Sequence, residues 1–180
     1  MSARVASGVN SLGKVMENNG NKFYNGFDPI IAPDSRVLIL GSFPSVVSRE
    51  RGFYYANPQN RFWRTLERFF GISAPTVQDK IELVLNNKIA LYDVYEKSSI
   101  KGSSDSALNE DTARVAQLEP LFEIATDIRL VICNGKKAYS AFITAYPNLN
   151  IKSVCLPSTS SANPRYDYKV WANTLSSVLK

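Results

Sequence analysis

Residues 36–63 read RVLILGSFPSVVSRERGFYYANPQNRFW. The stretch begins with a short run of Val, Leu and Ile, which is typical of a strand buried on both faces of a sheet. The run ends at Gly41, and a glycine at a strand end lets the backbone approach a ligand closely. Residues 41–63 then hold two prolines and six aromatic residues. The pattern predicts a buried strand that leads into an aromatic loop.

Three more apolar runs, at residues 89–92, 130–133 and 154–156, resemble the first. The segments between and after the runs have helical spacing, and Pro120 interrupts one of them. These segments are residues 60–70, 77–86, 108–125, 135–146 and 168–179. Strands that alternate with helices indicate crossover units and a parallel sheet. We therefore expect an α/β fold, a three-layer α/β/α sandwich with a central four-stranded, mainly parallel sheet.

The chain has 180 residues and 44% apolar content, enough for one domain with a core of its own. Residues 1–25 are rich in Asn, Gly and Ser and show little periodicity, so we expect a disordered or loosely packed extension before a single domain at 26–180. Cys133 and Cys155 both lie in apolar runs, which predicts buried thiols in a reducing compartment. Neither a membrane span nor a signal peptide is recognisable, so we expect a soluble intracellular protein.

Positive charge is concentrated in two segments. The net charge is +5 overall, but residues 36–71 carry +4 and residues 136–180 carry +5. If the fold brings them together they form a basic face for a polyanion such as nucleic acid; otherwise they are an ordinary solvated surface. The chain has no histidine, which excludes triad and typical zinc chemistry but leaves a carboxylate site for a hard cation open.

Polar loops follow all four predicted strands. They begin GSFPS, DVYEKSSIKGSSD, NGKKAYS and PSTSSANPRY, and ligand sites of parallel sheets lie beyond the carboxyl ends of the strands. Asn60 is either a helix cap or an amide that orients a water or a base. The hydroxyls of residues 158–160 suit either a turn or phosphate contacts, and Asp93 either accepts hydrogen bonds in a pocket or holds its own loop. Tyr54 and Tyr55 could stack on a flat ligand.

Four motifs together resemble the hypoxanthine-DNA glycosylase family of the uracil-DNA glycosylase superfamily. They are RVLILGSFPSVVSRERGFYYANPQNRFW, ALYDVYEKSSIKGSSD, VICNGKKAYSAF and CLPSTSSANPRY. The resemblance extends from about Phe27 to the C-terminus. It implies an enzyme without metal or cofactor that binds double-stranded DNA, flips out a deaminated base and hydrolyses its N-glycosidic bond. We expect a monomer, although the sequence leaves the oligomeric state open. Hypoxanthine is the implied base, with uracil or xanthine as alternatives.

The resemblance also implies roles for individual residues. Asn60 matches the catalytic amide of the family, which orients water toward a developing cation. The base pocket it implies comprises Gly41, Ser42, Phe43, Pro44, Tyr55, Asp93 and Asn134. The DNA contacts it implies are Ser45, Lys136, Lys137, Ser158, Thr159, Ser160, Asn163 and Arg165.

The chain departs from the superfamily at several positions. Phe43 stands where related enzymes have a water-activating Asp or Asn, and Ser161 replaces a proline of the last motif. The YYANP segment also lacks a histidine that relatives often have. These departures keep a second hypothesis open, a catalytically weak or inactive DNA-binding module of the same fold. A hydrolase of small nucleotides is a third.

Overall fold

The computed structural model describes residues 16–18, 21–99 and 108–179. Expectations for residues 1–15 therefore lie outside the described part of the chain. Within it, no helix is long and apolar enough to cross a membrane.

The four apolar runs form the predicted parallel sheet. Its strands are β3 (Val37–Gly41), β4 (Ile89–Asp93), β7 (Leu130–Asn134) and β8 (Ser153–Leu156). Their order across the sheet is β4-β3-β7-β8, and every neighbouring pair is parallel. All residues of β3 are buried, as expected for a central strand covered on both faces.

Helices cover both faces of this sheet. They are α1 (Val46–Arg51), α2 (Phe62–Phe70), α3 (Val77–Asn86), α4 (Glu119–Ile124), α5 (Lys136–Ala145) and α6 (Tyr168–Leu179). A capping box between Thr76 and Asp79 fixes the start of α3. The segment 108–125 contains a short 3₁₀ helix at Glu110–Thr112 and an α-helix only at its end, in α4. Pro120 lies in the first turn of α4, where a proline is tolerated.

Alternate residues of β3 belong to two separate cores. Val37 and Ile39 pack with α2, α3 and α6, whereas Leu38 and Leu40 pack with α4 and α5. The alternation follows from the two-residue period of a strand. The predicted three-layer α/β/α architecture is confirmed.

A second sheet was not predicted. It consists of β1 (Met16–Asn18), β2 (Asn21–Asn25), β5 (Tyr95–Ser99) and β6 (Arg114–Val115), all antiparallel. Strand β5 follows β4 after Val94 alone. Residues 16–18 and 21–25, which we expected to have little structure, therefore form two strands of this sheet.

The expectation for the cysteines is half right. Cys133 is buried in β7, but Cys155 is exposed. Cys155 lies on β8, which is an edge strand of the parallel sheet, so among the described residues only β7 pairs with it.

Candidate active site

Gly41 and Asp93 form the floor of the candidate site. They end the adjacent strands β3 and β4 and are partners in the strand register. A Cβ atom built on Gly41 would lie 2.2 Å from Asp93 Oδ1 and 2.9 Å from Tyr55 Oη. A side chain at position 41 would therefore displace both groups, and glycine is required there because of this close approach.

Tyr55 reaches the floor from the loop between α1 and α2. Its φ of 51° is left-handed, which is unusual for an aromatic residue. Its ring stacks on Phe62 with 4.0 Å between centroids, so one face of the ring is occupied by the core. Its neighbour Tyr54 is buried and donates its hydroxyl proton to the backbone of Phe27 and Asp28. The hydroxyl of Tyr55 thus reaches the floor of the site, and the ring face that packs on Phe62 cannot stack on a ligand.

Asn134 holds the loop after β8. Its Nδ2 donates to Thr159 Oγ1 at 2.9 Å, and its Oδ1 accepts the Thr159 N–H at 2.9 Å. Thr159 is fully buried. Thr159, which the resemblance places against DNA, thus lies inside the protein and supports the loop, and the Asn134 amide is engaged by this loop.

Arg61 fastens the same loop from the other side. Its guanidinium donates to the carbonyl oxygens of Thr159, Ser160 and Asn163, and its backbone N–H donates to Thr159 O at 2.9 Å. The guanidinium also lies 4.4 Å above the ring of Tyr166. The guanidinium group is planar and has several N–H donors, so it can bond to several carbonyl oxygens at once. Nothing in the sequence marked Arg61, because its partners lie about a hundred positions further along the chain.

These elements enclose a cavity of about 180 Å³. Its walls include every predicted pocket residue, together with Asn60 and the 158–160 loop. The lining residues are Phe27, Gly41, Ser42, Phe43, Pro44, Ser45, Ser48, Tyr54, Tyr55, Asn60, Asp93, Asn134, Ser158, Thr159 and Ser160. A wider groove of about 650 Å³ shares residues 42–45 and Ser160 with it.

Asn60 lies on the cavity wall just before α2. Its Oδ1 accepts the N–H of Phe62 at 2.9 Å, so the side chain does satisfy a donor at the helix start. An amide oxygen has a second lone pair, and the Nδ2 group has two donors. The bond to Phe62 therefore fixes the amide without using up its hydrogen-bonding capacity.

Within the described part of the chain, Asp93 is the sole carboxylate that lines the cavity, and no Lys or Arg lines it. Its side chain is 4% exposed, and burial raises its pKa to about 7. Burial raises the pKa of Tyr55 well above its usual range, and the nearby Asp93 raises it further. The Asn134 amide lowers the pKa of Tyr55, but by less than these two effects raise it. Near neutral pH the cavity floor therefore carries either no charge or the single negative charge of Asp93.

The predicted DNA contacts outside the cavity lie on both sides of the 158–160 loop. Lys137 lines the wider groove with Ser45 and Ser160. Lys136 and Arg165 are exposed and line another groove, of about 530 Å³, with Ser158 and Asn163.

Two of the predicted contacts also have roles within the protein. Ser45 caps α1 by accepting the N–H of Ser48. Asn163 donates to Ser158 O within its own loop.

Sequence reasoning missed the support that the second sheet and α1 give the site. Arg49 of α1 donates to Pro44 O at 2.7 Å and lies 4.6 Å above the ring of Tyr24, a residue of β2. It also lies 5.9 Å from the ring of Phe43, on the cavity wall. Among the residues described here, no cluster of His, Cys, Asp or Glu is arranged to hold a metal ion.

Comparison with known proteins identifies related chains. Residues 29–174 match the model of the uracil DNA glycosylase superfamily. A hypoxanthine DNA glycosylase of Methanosarcina barkeri (strain Fusaro / DSM 804) is 33% identical over 144 residues, which cover 78% of this chain and 88% of the relative. A hypoxanthine DNA glycosylase of Methanosarcina acetivorans is 32% identical over 143 residues, covering 78% and 89%.

A solved structure is also similar. The solution NMR structure of a Methanosarcina acetivorans protein described as a candidate uracil DNA glycosylase superposes with a TM-score of 0.74 at 29% identity. The match covers 85% of this chain and 96% of that one.

Proposed function

The chain belongs to the uracil-DNA glycosylase superfamily and is a DNA glycosylase, and from this premise we propose that it removes hypoxanthine from double-stranded DNA by hydrolysis. The observation that carries the proposal is the small cavity at the carboxyl ends of β3, β4 and β7. Two relatives named hypoxanthine DNA glycosylase support the choice of base.

The small size of the cavity supports a reaction in which the target nucleotide leaves the duplex. A volume of about 180 Å³ accommodates one base and not a base pair. Enzymes that act on a base flip the nucleotide out of the stack, at a cost of a few kcal/mol that is lowest for mispaired bases. Phe43, which is only partly buried, is the ring best placed to contact the face of such a base.

Asn60 positions the attacking water in this proposal. The N–H of Phe62 holds the amide oxygen in place, and its remaining lone pair can accept a hydrogen bond from water. An amide is a poor base, but the sugar develops positive charge as the glycosidic bond breaks, so a well-oriented neutral water is sufficient. Capping and catalysis are therefore compatible roles for the same side chain.

The DNA backbone follows the grooves beside the 158–160 loop. Lys137 in one groove and Lys136 with Arg165 in the other supply positive charge on both sides of it. Lys and Arg bind phosphates and release counterions, so affinity decreases steeply with salt. Ser158 and Ser160 add hydroxyl groups that position the strand without reading its sequence.

The test uses a duplex oligonucleotide with one deoxyinosine, incubated with the protein and then treated with alkali. We expect strand cleavage at that nucleotide, and Asn60→Ala to lose most turnover while still binding the duplex. Gln59→Ala is the matched control, since Gln59 is exposed and does not line the cavity. Salt-dependent binding without release of hypoxanthine, uracil or xanthine would instead favour an inactive DNA-binding module.

A further inference from the structure

Two polar atoms at the cavity floor have no hydrogen-bond partner among the described residues. They are Asp93 Oδ2 and Tyr55 Oη. An unpaired buried polar group costs about 1–3 kcal/mol, and proteins satisfy nearly all such groups. Two of them side by side in the candidate active site indicate partners that arrive with the substrate.

The surroundings of Asp93 favour the protonated form of its carboxyl group, because burial raises its pKa to about 7. The titratable groups nearest to it are Tyr54 and Tyr55 from the loop before α2, Tyr92 from β4, and Cys133 from β7 beside Tyr55. Burial raises the pKa of each of these groups, to about 12 for Tyr92 and Cys133, so all four stay neutral near pH 7. Among the residues that the structure describes, no lysine or arginine lines the cavity to favour the carboxylate.

The carboxylates of Asp28 and Glu96 lie further out. Both act on Tyr92, and Asp28 also acts on Tyr54, while burial alone accounts for the raised pKa of Asp93. A change in the protonation of this site near neutral pH therefore belongs to Asp93. In its protonated form the carboxyl group is a hydrogen-bond donor and an acid.

Because Gly41 has no side chain, it leaves space for a bound base to approach Asp93 and Tyr55. The position that a side chain at Gly41 would occupy lies 2.2 Å from Asp93 Oδ1 and 2.9 Å from Tyr55 Oη. Both groups therefore converge on one point at the end of β3, beside the polar loops that form the rest of the cavity wall.

We propose that Asp93 is the general acid of the reaction and transfers its proton to N7 of the bound purine while the bond between C1′ and N9 breaks. This inference rests on the proposed function. The electron pair of the broken bond goes to the base, which leaves as neutral hypoxanthine with a proton on N7. Water supplies the new C1′ hydroxyl group and releases a proton to solvent, and Asp93 regains a proton from solvent. Tyr55 is a positioning residue that donates to the Asp93 carboxylate after the transfer.

The chemistry also explains a preference for purines. N7 is the most basic ring nitrogen of inosine, and protonation there turns the base into a good leaving group. Uracil has no equivalent nitrogen. An acid at the floor of the cavity thus accelerates release of hypoxanthine in a way that it cannot for uracil.

The test compares the wild type with Asp93→Asn, which keeps the size of the side chain and a donor but cannot transfer a proton. Single-turnover release of hypoxanthine from a deoxyinosine duplex should fall by about 10²- to 10⁴-fold, with duplex binding retained. The wild-type rate should decrease as pH rises through the pKa of Asp93, and the variant should lack this decrease. Tyr55→Phe should shift the midpoint of the pH profile.

Two substrate analogues distinguish proton transfer from a structural role. An oligonucleotide with 7-deazadeoxyinosine, which has no N7, should be cleaved slowly, and equally by wild type and Asp93→Asn. An oligonucleotide with 3-deazadeoxyinosine, which retains N7, should keep the large difference between the two proteins. Equal rates and pH profiles for wild type and variant on deoxyinosine would overturn the inference but leave the proposed function intact. A wild type that releases no hypoxanthine would overturn both.

Discussion

Gly41 and Asp93 face each other across two parallel strands so closely that a methyl group on Gly41 would overlap the Asp93 carboxyl group. This contact joins Gly41 of the motif RVLILGSFPS to the buried Asp93 of the motif ALYDVYEK. It makes the strand ends, rather than any single loop, the element that shapes the cavity.

The first prediction follows from this contact. Gly41→Ala should lose glycosylase activity and about 1–3 kcal/mol of stability, because the new Cβ forces Asp93 and Tyr55 out of place. Activity assays and urea unfolding measure the two effects. Gly71→Ala is the control: its φ of 69° makes alanine unfavourable by about 1–2 kcal/mol, but no atom lies within 4 Å of the new Cβ. A fully active Gly41→Ala protein would contradict the proposed cavity floor.

The second prediction concerns the pair Asn134 and Thr159. Asn134→Ala leaves the buried N–H and hydroxyl of Thr159 without their partner, which should cost about 1–3 kcal/mol. In a double-mutant cycle with Thr159→Val, the two changes should show a coupling energy of at least about 0.5 kcal/mol. Urea unfolding of the four proteins measures this. Strictly additive effects would show that the hydrogen bond between Asn134 Nδ2 and Thr159 Oγ1 does not hold the loop.

The third prediction compares the effects of replacing Arg61 and Arg64 by lysine. Arg61→Lys should cost about 1.5–3 kcal/mol and weaken binding to duplex DNA, since an ammonium group cannot reach three carbonyl oxygens at once. Arg64→Lys is the matched control, because exposed Arg64 makes one bond, to Pro58 O at 2.9 Å. It should change stability by less than about 0.5 kcal/mol. Fluorescence anisotropy and urea unfolding supply the readouts, and equal effects of the two changes would exclude the assigned role of Arg61.

The fourth prediction is a pH dependence of stability. The pKa of Asp93 is about 7 in the folded protein and about 3.9 in an unfolded chain, so the folded state holds the proton more tightly. The contribution of Asp93 to stability is therefore fully present below pH 4 and is lost as pH rises to 7. The whole change amounts to about 4 kcal/mol at most. Asp93→Asn should lack this component, so the difference in unfolding free energy between variant and wild type should favour the variant increasingly up to pH 7. A difference that is constant from pH 4 to 8 would show that Asp93 titrates normally.

The sequence predicted the central sheet because its four strands are short apolar runs that need no distant partner to be recognised. The second sheet could not be predicted in this way. Its strands β2 and β5 read NKFYN and YEKSS, which are polar, and their pairing joins segments about seventy residues apart. Segment 108–125 has helical spacing but forms an α-helix only from Glu119 to Ile124, after a short 3₁₀ helix at Glu110–Thr112.

For the candidate site, the polar loops after the strands indicated where the cavity lies. What they did not indicate is which side chains hold the loop at residues 158–160 in place. The amide of Asn134 and the side chain of Thr159 bond to each other, and Arg61 holds the loop through backbone oxygens. These roles arise because residues far apart in the sequence lie close together in the fold. Residue type and spacing along the chain do not predict such contacts.

The most direct test of the central claim is to identify both products of the reaction in water enriched in ¹⁸O. After incubation of a deoxyinosine duplex with the wild-type protein, mass spectrometry should find free hypoxanthine without ¹⁸O and an equal amount of abasic strand that carries one ¹⁸O at C1′. Absence of free hypoxanthine, or ¹⁸O in the base instead of the sugar, would contradict hydrolysis of the N-glycosidic bond by this protein.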